Sequence, residues 1–317
     1  MGDIPMPQPR PPSDSEPEPT PVGGSCACGM GAYWRLHPVT PGASGDWVDV
    51  FGLDDGRLAI CVGDAAGHGS QAAAFAGRVR AVLRRRLLAG EEPDAAVSGT
   101  VGEVAGLGDL GEMFATAFVA IADPSTGRVV YVNAGHPPAV HLTRRAAHPT
   151  RSSADPGPVA PGPAPGPAST SGPASGPGSA SGPASASASG PGSASGFGSG
   201  PDPGPAGLPL GPTGPILSDL FAGTWIWTSR SLRMAPGDRL VVYTDGLSEA
   251  RDAAGEQFGT DRIGAAGGDN PDSAPDLLID RIFARAAAHS SADARDDRTV
   301  AVLTRQPVPP ATTAPLQ

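Results

Sequence analysis

Lysine is absent from the 317 residues, so all 22 basic side chains are arginine, against 32 acidic ones for a formal net charge of −10. That balance argues against a sequence-independent grip on nucleic acid, which needs clustered positive charge. A polybasic membrane anchor is disfavoured for the same reason. Aromatic residues make up only 5% of the chain. No apolar run reaches the 18 or so residues of a membrane-spanning helix. The N-terminus, MGDIPMPQPRPPSDSEPEPTP, lacks the basic and apolar regions of a secretion signal, so a cytoplasmic protein is expected. Cysteine is scarce: Cys26, Cys28 and Cys61 are too few for a disulfide framework and fit a reducing compartment. Cys26 and Cys28 have no second Cys/His pair at zinc-ligand spacing.

What is plentiful is glycine and proline, 45 and 38 residues, a level that signals low-complexity sequence. Residues 1–30 are dominated by Pro, Glu and Ser and are expected to be a disordered arm. Residues 149–207 are almost pure Gly, Pro, Ala and Ser without a Gly-X-Y period, so a solvated linker is expected rather than collagen. Residues 306–317 are expected to be a flexible tail. The globular part is then 31–305, interrupted by 149–207. Stretching a four-residue turn to 59 residues costs about 2.4 kcal/mol of loop-closure entropy, which a well-packed domain can bear.

Hydrophobic patterning predicts strands at 46–53 and 57–62, joined as a hairpin through Asp54-Asp55-Gly56. A helix is predicted over 70–89 from Phe75, Val79, Val82, Leu83 and Leu87. Its Arg78, Arg80, Arg84, Arg85 and Arg86 read as a solvated or partner-contacting face before a nucleic-acid one. A weaker helical pattern at 91–112 is broken by glycines. Strands follow at 114–122, 128–133 and 138–143. A second hairpin is expected from 224–234 and 239–244 around Ala235-Pro236-Gly237-Asp238. A helix at 276–289 and a strand at 299–303 complete the pattern. Strands in hairpins with helices between them suggest α+β, antiparallel sheets covered by helices.

Acidic residues recur at strand edges: Asp46, Asp64, Asp245, Asp296 and Asp297. Converging carboxylates cannot all ionise without a counter-charge. All-oxygen ligation suits Mg²⁺ or Mn²⁺ better than zinc. An Asp between a strand and a Gly is, taken alone, more often a turn or helix cap.

The motifs taken in order are more specific. Ser44-Gly45-Asp46-Trp47-Val48-Asp49-Val50-Phe51 resembles the GGDWYDvF motif of the SpoIIE-type branch of the PP2C (PPM) phosphatases. Val62-Gly63-Asp64-Ala65-Ala66-Gly67-His68-Gly69 resembles GDvxGHG, and Asn133-Ala134-Gly135-His136-Pro137-Pro138 matches NAGHPP. Pro236-Gly237-Asp238-Arg239 with Tyr243-Thr244-Asp245-Gly246-Leu247-Ser248-Glu249-Ala250-Arg251 matches PGDxl…YTDGlxEAr. Asp296-Asp297-Arg298-Thr299 is similar to the terminal DDxT.

The resemblance implies a four-layer αββα sandwich of two mainly antiparallel sheets flanked by helices. It implies hydrolysis of phosphoserine or phosphothreonine on a protein, with two Mn²⁺ or Mg²⁺ ions and the water they bridge. By motif position Asp64 would bridge both ions and the Ala65 carbonyl would bind one. Asp245 and Asp296 would hold one ion, Asp46 the other. Asp49 and Asp297 are the alternative ligands. His68 and His136 are candidate general acids, and Arg35 a candidate phosphate clamp without support from its spacing. Ser44 departs from the family pattern, in which a glycine stands. Relatives act on phosphorylated STAS-domain anti-sigma factor antagonists, which makes such a protein the candidate substrate and partner. The short polar arm leads to the expectation of a stand-alone catalytic domain, controlled by a partner or as a homodimer. The competing reading is a catalytically weak scaffold that docks a regulatory partner. A structural protein defined by its Gly/Pro/Ser tract does not account for the ordered motifs.

Overall fold

The computed structural model describes residues 23–27, 29–67, 69–106, 113–144, 207–223, 227–291 and 296–306. The expected linker lies outside them apart from Gly207, as do His68 and Cys28.

The chain runs β1 (Gly23–Ala27), β2 (Met30–His37), β3 (Asp46–Gly52), β4 (Leu58–Ala65), α1 (Ser70–Leu88), α2 (Pro93–Ala105), β5 (Phe114–Ala122), β6 (Arg128–Ala134) and β7 (Ala139–Leu142). It continues with β8 (Leu208–Leu210), β9 (Leu217–Ser218), β10 (Arg230–Arg233), β11 (Arg239–Tyr243), α3 (Asp245–Ser248), α4 (Gly259–Gly268), α5 (Pro275–His289) and β12 (Arg298–Arg305). One sheet has the order β1-β2-β12-β11-β7-β8, the other β10-β6-β5-β4-β3, with β9 beside β5. All these pairings are antiparallel, and each sheet takes strands from both sides of residues 149–207.

Strand alternation builds the layers, because successive side chains point to opposite faces. From β4, Leu58, Ile60 and Val62, with Phe118 of β5 beside them, face the other sheet and meet its Leu240, Val242, Ala301 and Leu303. Ala59 and Cys61 point the other way, to Phe75, Val79, Leu83 and Val97 of α1 and α2. On the far side Val241, Val300 and Val302 meet Ile263, Leu278 and Ile282 of α4 and α5. Three apolar layers between four structural ones make the expected αββα sandwich. Burial on both faces also explains why Phe118–Ala122 and Val300–Leu303 are unbroken apolar runs in antiparallel sheets.

The structure alters some of these expectations and sharpens one. Gly23–Ala27, assigned to the disordered arm, is an edge strand paired with β2. The weak pattern at 91–112 does yield a helix, α2. A Cβ on its Gly99 would collide with the Arg86 guanidinium, so glycine there admits Arg86 between α1 and α2, where it binds Glu91 at 2.9 Å. Helix α4, rich in Gly and Ala, has no counterpart in the patterning. The second hairpin does not form: β10 pairs with β6 in one sheet, β11 with β12 and β7 in the other. The Ala235–Asp238 turn is present, with Asp238 N–H donating to Ala235 O at 2.9 Å. It is held between the sheets, because Met234 N–H binds Gly127 O at 2.9 Å while Asp238 Oδ2 pairs with His141 Nε2 at 3.0 Å. Among the described residues no helix is long and apolar enough to cross a membrane.

Candidate metal centre

The sandwich brings four of the motif aspartates to one end. Asp46 and Asp64 sit directly opposite each other at the open ends of β3 and β4. Like charges so placed repel. From the other sheet Asp245 opens α3 right after β11, and Asp296 lies just before β12.

These carboxylates share one electrostatic field. Burial pushes the Asp64 carboxyl up to about 9, with added repulsion from Asp46, Asp245, Asp296 and Asp297. Asp46, only 4% exposed, is raised to about 7 by burial, with hydrogen bonds from Thr299 and Thr244 opposing and Asp297 and Asp245 adding. Asp245 is raised by burial, then by Asp296 and Glu249. Its Oδ1 is buried without a hydrogen-bond partner, an arrangement that calls for a ligand.

Gly45 shapes the wall of the site. A Cβ there would lie 2.7 Å from the Ala65 carbonyl oxygen and 3.4 Å from both Asp64 Oδ1 and the Gly67 carbonyl oxygen. Those three oxygens border a space that any side chain at 45 would fill. An orphaned carboxylate oxygen, uncompensated negative charge and an all-oxygen donor set fit a hard divalent cation. Among the described residues no three acidic, His or Cys side chains already close around a single point. A Mg²⁺-like ion does not require that, since it keeps waters and takes one or two carboxylates.

Other expected site residues are placed elsewhere. Asp49 is not brought to the group: it is 4% exposed on the helix-facing side of β3 and pairs with Arg84 at 2.6 Å and Arg80 at 3.4 Å. Asp297 accepts from Val39 N–H at 2.7 Å, Ser44 Oγ–H at 2.6 Å and Gly45 N–H at 2.9 Å, so it braces the loop that carries Asp46. Arg35 binds Asp280 of α5 at 2.6 Å, where it supports a helix instead of clamping phosphate. His136 is buried and pushed down to about 3 by that burial, so it is neutral, with Nδ1 2.8 Å from Thr116 Oγ1. Its backbone N–H donates to Asn133 Oδ1 at 2.8 Å, and Asn133 Nδ2 reaches Leu210 O at 3.3 Å. The NAGHPP stretch therefore stitches β6 to the segment beyond residue 207. On α1, Arg85 and Arg86 bind Glu103 and Glu91.

Residue reasoning missed Thr244 and Thr299, whose hydroxyls both donate to Asp46 Oδ2. It also missed Ser44 as a donor to Asp297. The signal was there: each Thr is a polar residue at the acid-bearing end of an apolar strand, within three positions of a motif acid.

Two face-to-face antiparallel sheets between helix layers, with carboxylates from both sheets gathered at one end, define the class of PP2C-type phosphatase domains. Within that class, the model of the Stage II sporulation protein E (SpoIIE) family matches residues 54–164 and 199–306, and the chain belongs to this family. Protein IcfG of Synechocystis sp. (strain ATCC 27184 / PCC 6803 / Kazusa) is 27% identical over 262 residues, 73% of this chain and 31% of that protein. The chain thus spans about a third of that relative's length. The RsbU and RsbW domains of Rv1364c from Mycobacterium tuberculosis superpose with a TM-score of 0.59 at 22% identity, over 92% of this chain and 64% of that one. The catalytic domain of the serine/threonine protein phosphatase PstP, in complex with two manganese ions, superposes with a TM-score of 0.51 at 13% identity. That match covers 88% of this chain and 99% of that one, and both superpositions show the shared fold.

Proposed function

We propose that this protein is a metal-dependent phosphatase that hydrolyses phosphoserine or phosphothreonine on a regulatory protein. The observation that carries the reading is the gathering of Asp46, Asp64, Asp245 and Asp296 from both sheets at one end of the sandwich, where burial first and mutual repulsion second push Asp64 up to about 9. A site with no purpose for a cation would not retain that arrangement against its cost in stability. The manganese in the PstP relative supports the choice of ion.

Asp64, the Ala65 carbonyl, Asp46, Asp245 and Asp296 would hold the ions. Divalent ions bound there supply Lewis-acid polarisation of phosphoryl oxygens and a water of lowered pKa. The chain's own part is to bind and orient. Gly45 leaves the Ala65 and Gly67 carbonyls accessible, and burial of Asp46 excludes bulk water from one side. Membership of this family supports a phosphorylated STAS-domain anti-sigma factor antagonist as the substrate. It also supports 31–305 as one catalytic domain interrupted by the Gly/Pro-rich segment.

The test is phosphate release from p-nitrophenyl phosphate and from a phosphoserine protein, with Mn²⁺ and with EDTA, beside Asp64→Ala. Turnover that needs metal and vanishes in Asp64→Ala is expected. A folded, metal-loaded wild type with no turnover on either substrate overturns the reading in favour of a scaffold.

A further inference from the structure

Asp46 belongs to one sheet, yet its carboxylate is held by the other. Its Oδ2 accepts from Thr244 Oγ1–H at 2.8 Å and from Thr299 Oγ1–H at 2.6 Å. The two threonines are neighbours across β11 and β12: Thr299 N–H donates to Thr244 Oγ1 at 3.0 Å, and Thr244 N–H to Thr299 O at 3.2 Å. Thr244 Oγ1 accepts a hydrogen bond from the Thr299 amide, and an ionised Asp46 has no proton to give, so both hydroxyls donate to its carboxylate. With two donors on Oδ2 the lone pairs of that oxygen are used. Among the described residues Asp46 Oδ1 accepts no hydrogen bond.

The placement gives these bonds a function. Thr244 directly precedes Asp245, and Thr299 follows Asp296 by three residues. The strands that present two acids from one sheet therefore also grip the acid from the other. We infer that Thr244 and Thr299 are positioning residues for the metal centre: they fix Asp46 through Oδ2, leave Oδ1 to face a divalent cation, and set the spacing of acids contributed by separate sheets. The inference rests on the metal-dependent reading above. Valine at either site keeps the shape of the side chain and removes the donor. Serine keeps the donor and removes the methyl group.

The experiment is calorimetric titration of the full-length, metal-free protein with Mn²⁺ alone, for wild type, Thr244→Val, Thr299→Val, Thr244→Ser and Thr299→Ser. Thermal melting confirms that each variant is folded. Outer hydrogen-bond partners of metal ligands typically govern about 10–100-fold in affinity. Each valine variant is expected to lose about that factor, and each serine variant to stay within about threefold of wild type. In an Asp46→Asn background the valine substitutions should add no further loss. Should Thr299→Val fail to fold, Thr244→Val, which keeps one donor on Asp46, is read in its place.

Folded valine variants that bind Mn²⁺ as tightly as wild type overturn the inference and leave the phosphatase reading standing. Equal losses in the valine and serine variants overturn it too, because the methyl groups and not the hydroxyls would then matter. A folded wild type that binds no Mn²⁺ overturns both.

Discussion

Raising the pH of the metal-free protein from 7 to 8.5 should destabilise it, and Mn²⁺ should remove most of that loss. An unfolded Asp ionises near 3.8, whereas the folded environment keeps the Asp64 proton until about 9. Between those values the folded chain binds more protons than the unfolded one, so stability falls as pH rises. Burial pushes His136 and His37 down, which works in the opposite direction, but only below about 6.5, where unfolded imidazoles still charge. The buried Cys61 thiol is pushed up and enters only as the unfolded thiol ionises, near 9. From 7 to 8.5 the carboxylates dominate, with Cys61 adding a smaller loss of the same sign at the upper end. At about 1.36 kcal/mol per pH unit for one proton the ceiling is about 2 kcal/mol. Asp64 is partly open to solvent and shares its field with Asp46, so about 1–2 kcal/mol is expected. Urea denaturation at pH 7, 7.75 and 8.5, with EDTA and with Mn²⁺, measures it. Ion at a hundred times its dissociation constant adds about 2.7 kcal/mol. Asp64→Asn, neutral at every pH, should flatten the slope, raise metal-free stability at pH 8.5 and abolish the Mn²⁺ response. Metal-free stability that is flat or rises over the window, or an unchanged slope in Asp64→Asn, refutes the reasoning.

Asp49→Ala removes a buried carboxylate and leaves Arg84 and Arg80, both open to solvent, so a stability loss of about 1 kcal/mol is expected with Mn²⁺ affinity unchanged; weakened Mn²⁺ binding in calorimetry would return Asp49 to the ligand set. Gly45→Ala places a methyl group 2.7 Å from the Ala65 carbonyl oxygen, and Mn²⁺ affinity should fall at least tenfold, on the order of 1.4 kcal/mol; wild-type affinity in the folded variant would show that the cradle is not used. Replacing residues 149–207 by a short turn should leave metal-dependent turnover within about twofold. Leu142, the last residue of β7, pairs with Arg239 at the start of β11, so this strand end is opposite the Asp245 end. A folded deletion variant that has lost turnover would assign the segment a part in catalysis.

Much of this fold was legible because burial on both faces makes strands such as Leu240–Tyr243 and Val300–Leu303 conspicuous. What stayed hidden was set by tertiary context. Gly23–Ala27 has a composition that gives no reason to form a strand alone; it pairs because β2 offers an edge. The β10–β11 segment carries a good turn, but turn chemistry is local, and it cannot say that Asp238 is anchored to His141 on the neighbouring strand. Helix α4 buries Ile263 and Ala266 among glycines, too thin an apolar stripe to stand out. In the site, the motif order located Asp46, Asp64, Asp245 and Asp296 together. It could not show the threonine hydroxyls, because a sheet-to-sheet hydrogen bond leaves no spacing in the sequence.

The same limit explains why Asp49 and Asp297 stand as alternative ligands in the sequence and are set apart in the structure. The supply of donors separates them. Asp49 has two guanidinium groups, and Asp297 has two backbone amides and a serine hydroxyl. Asp49 keeps a buried Oδ2 without a donor, but the two guanidinium groups on its Oδ1 neutralise its charge, and Asp297 has donors on both oxygens, so a cation has little to offer either. Asp64 and Asp245 are raised by burial amid other carboxylates, and Asp245 keeps an oxygen with no donor at all. Asp46 lies between these cases, satisfied on Oδ2 by threonines and on Oδ1 by nothing among the described residues. The adjacent pair Asp296–Asp297 shows the division most sharply. Asp297 turns inward to brace Ser44 and Gly45, while its exposed neighbour adds negative charge to Asp64 and Asp245. Ser44, where the family pattern has glycine, strengthens that brace with a hydroxyl that glycine lacks. The brace acts on the loop that delivers Asp46, so this chain's departure from its family's motif adds a bond to that loop.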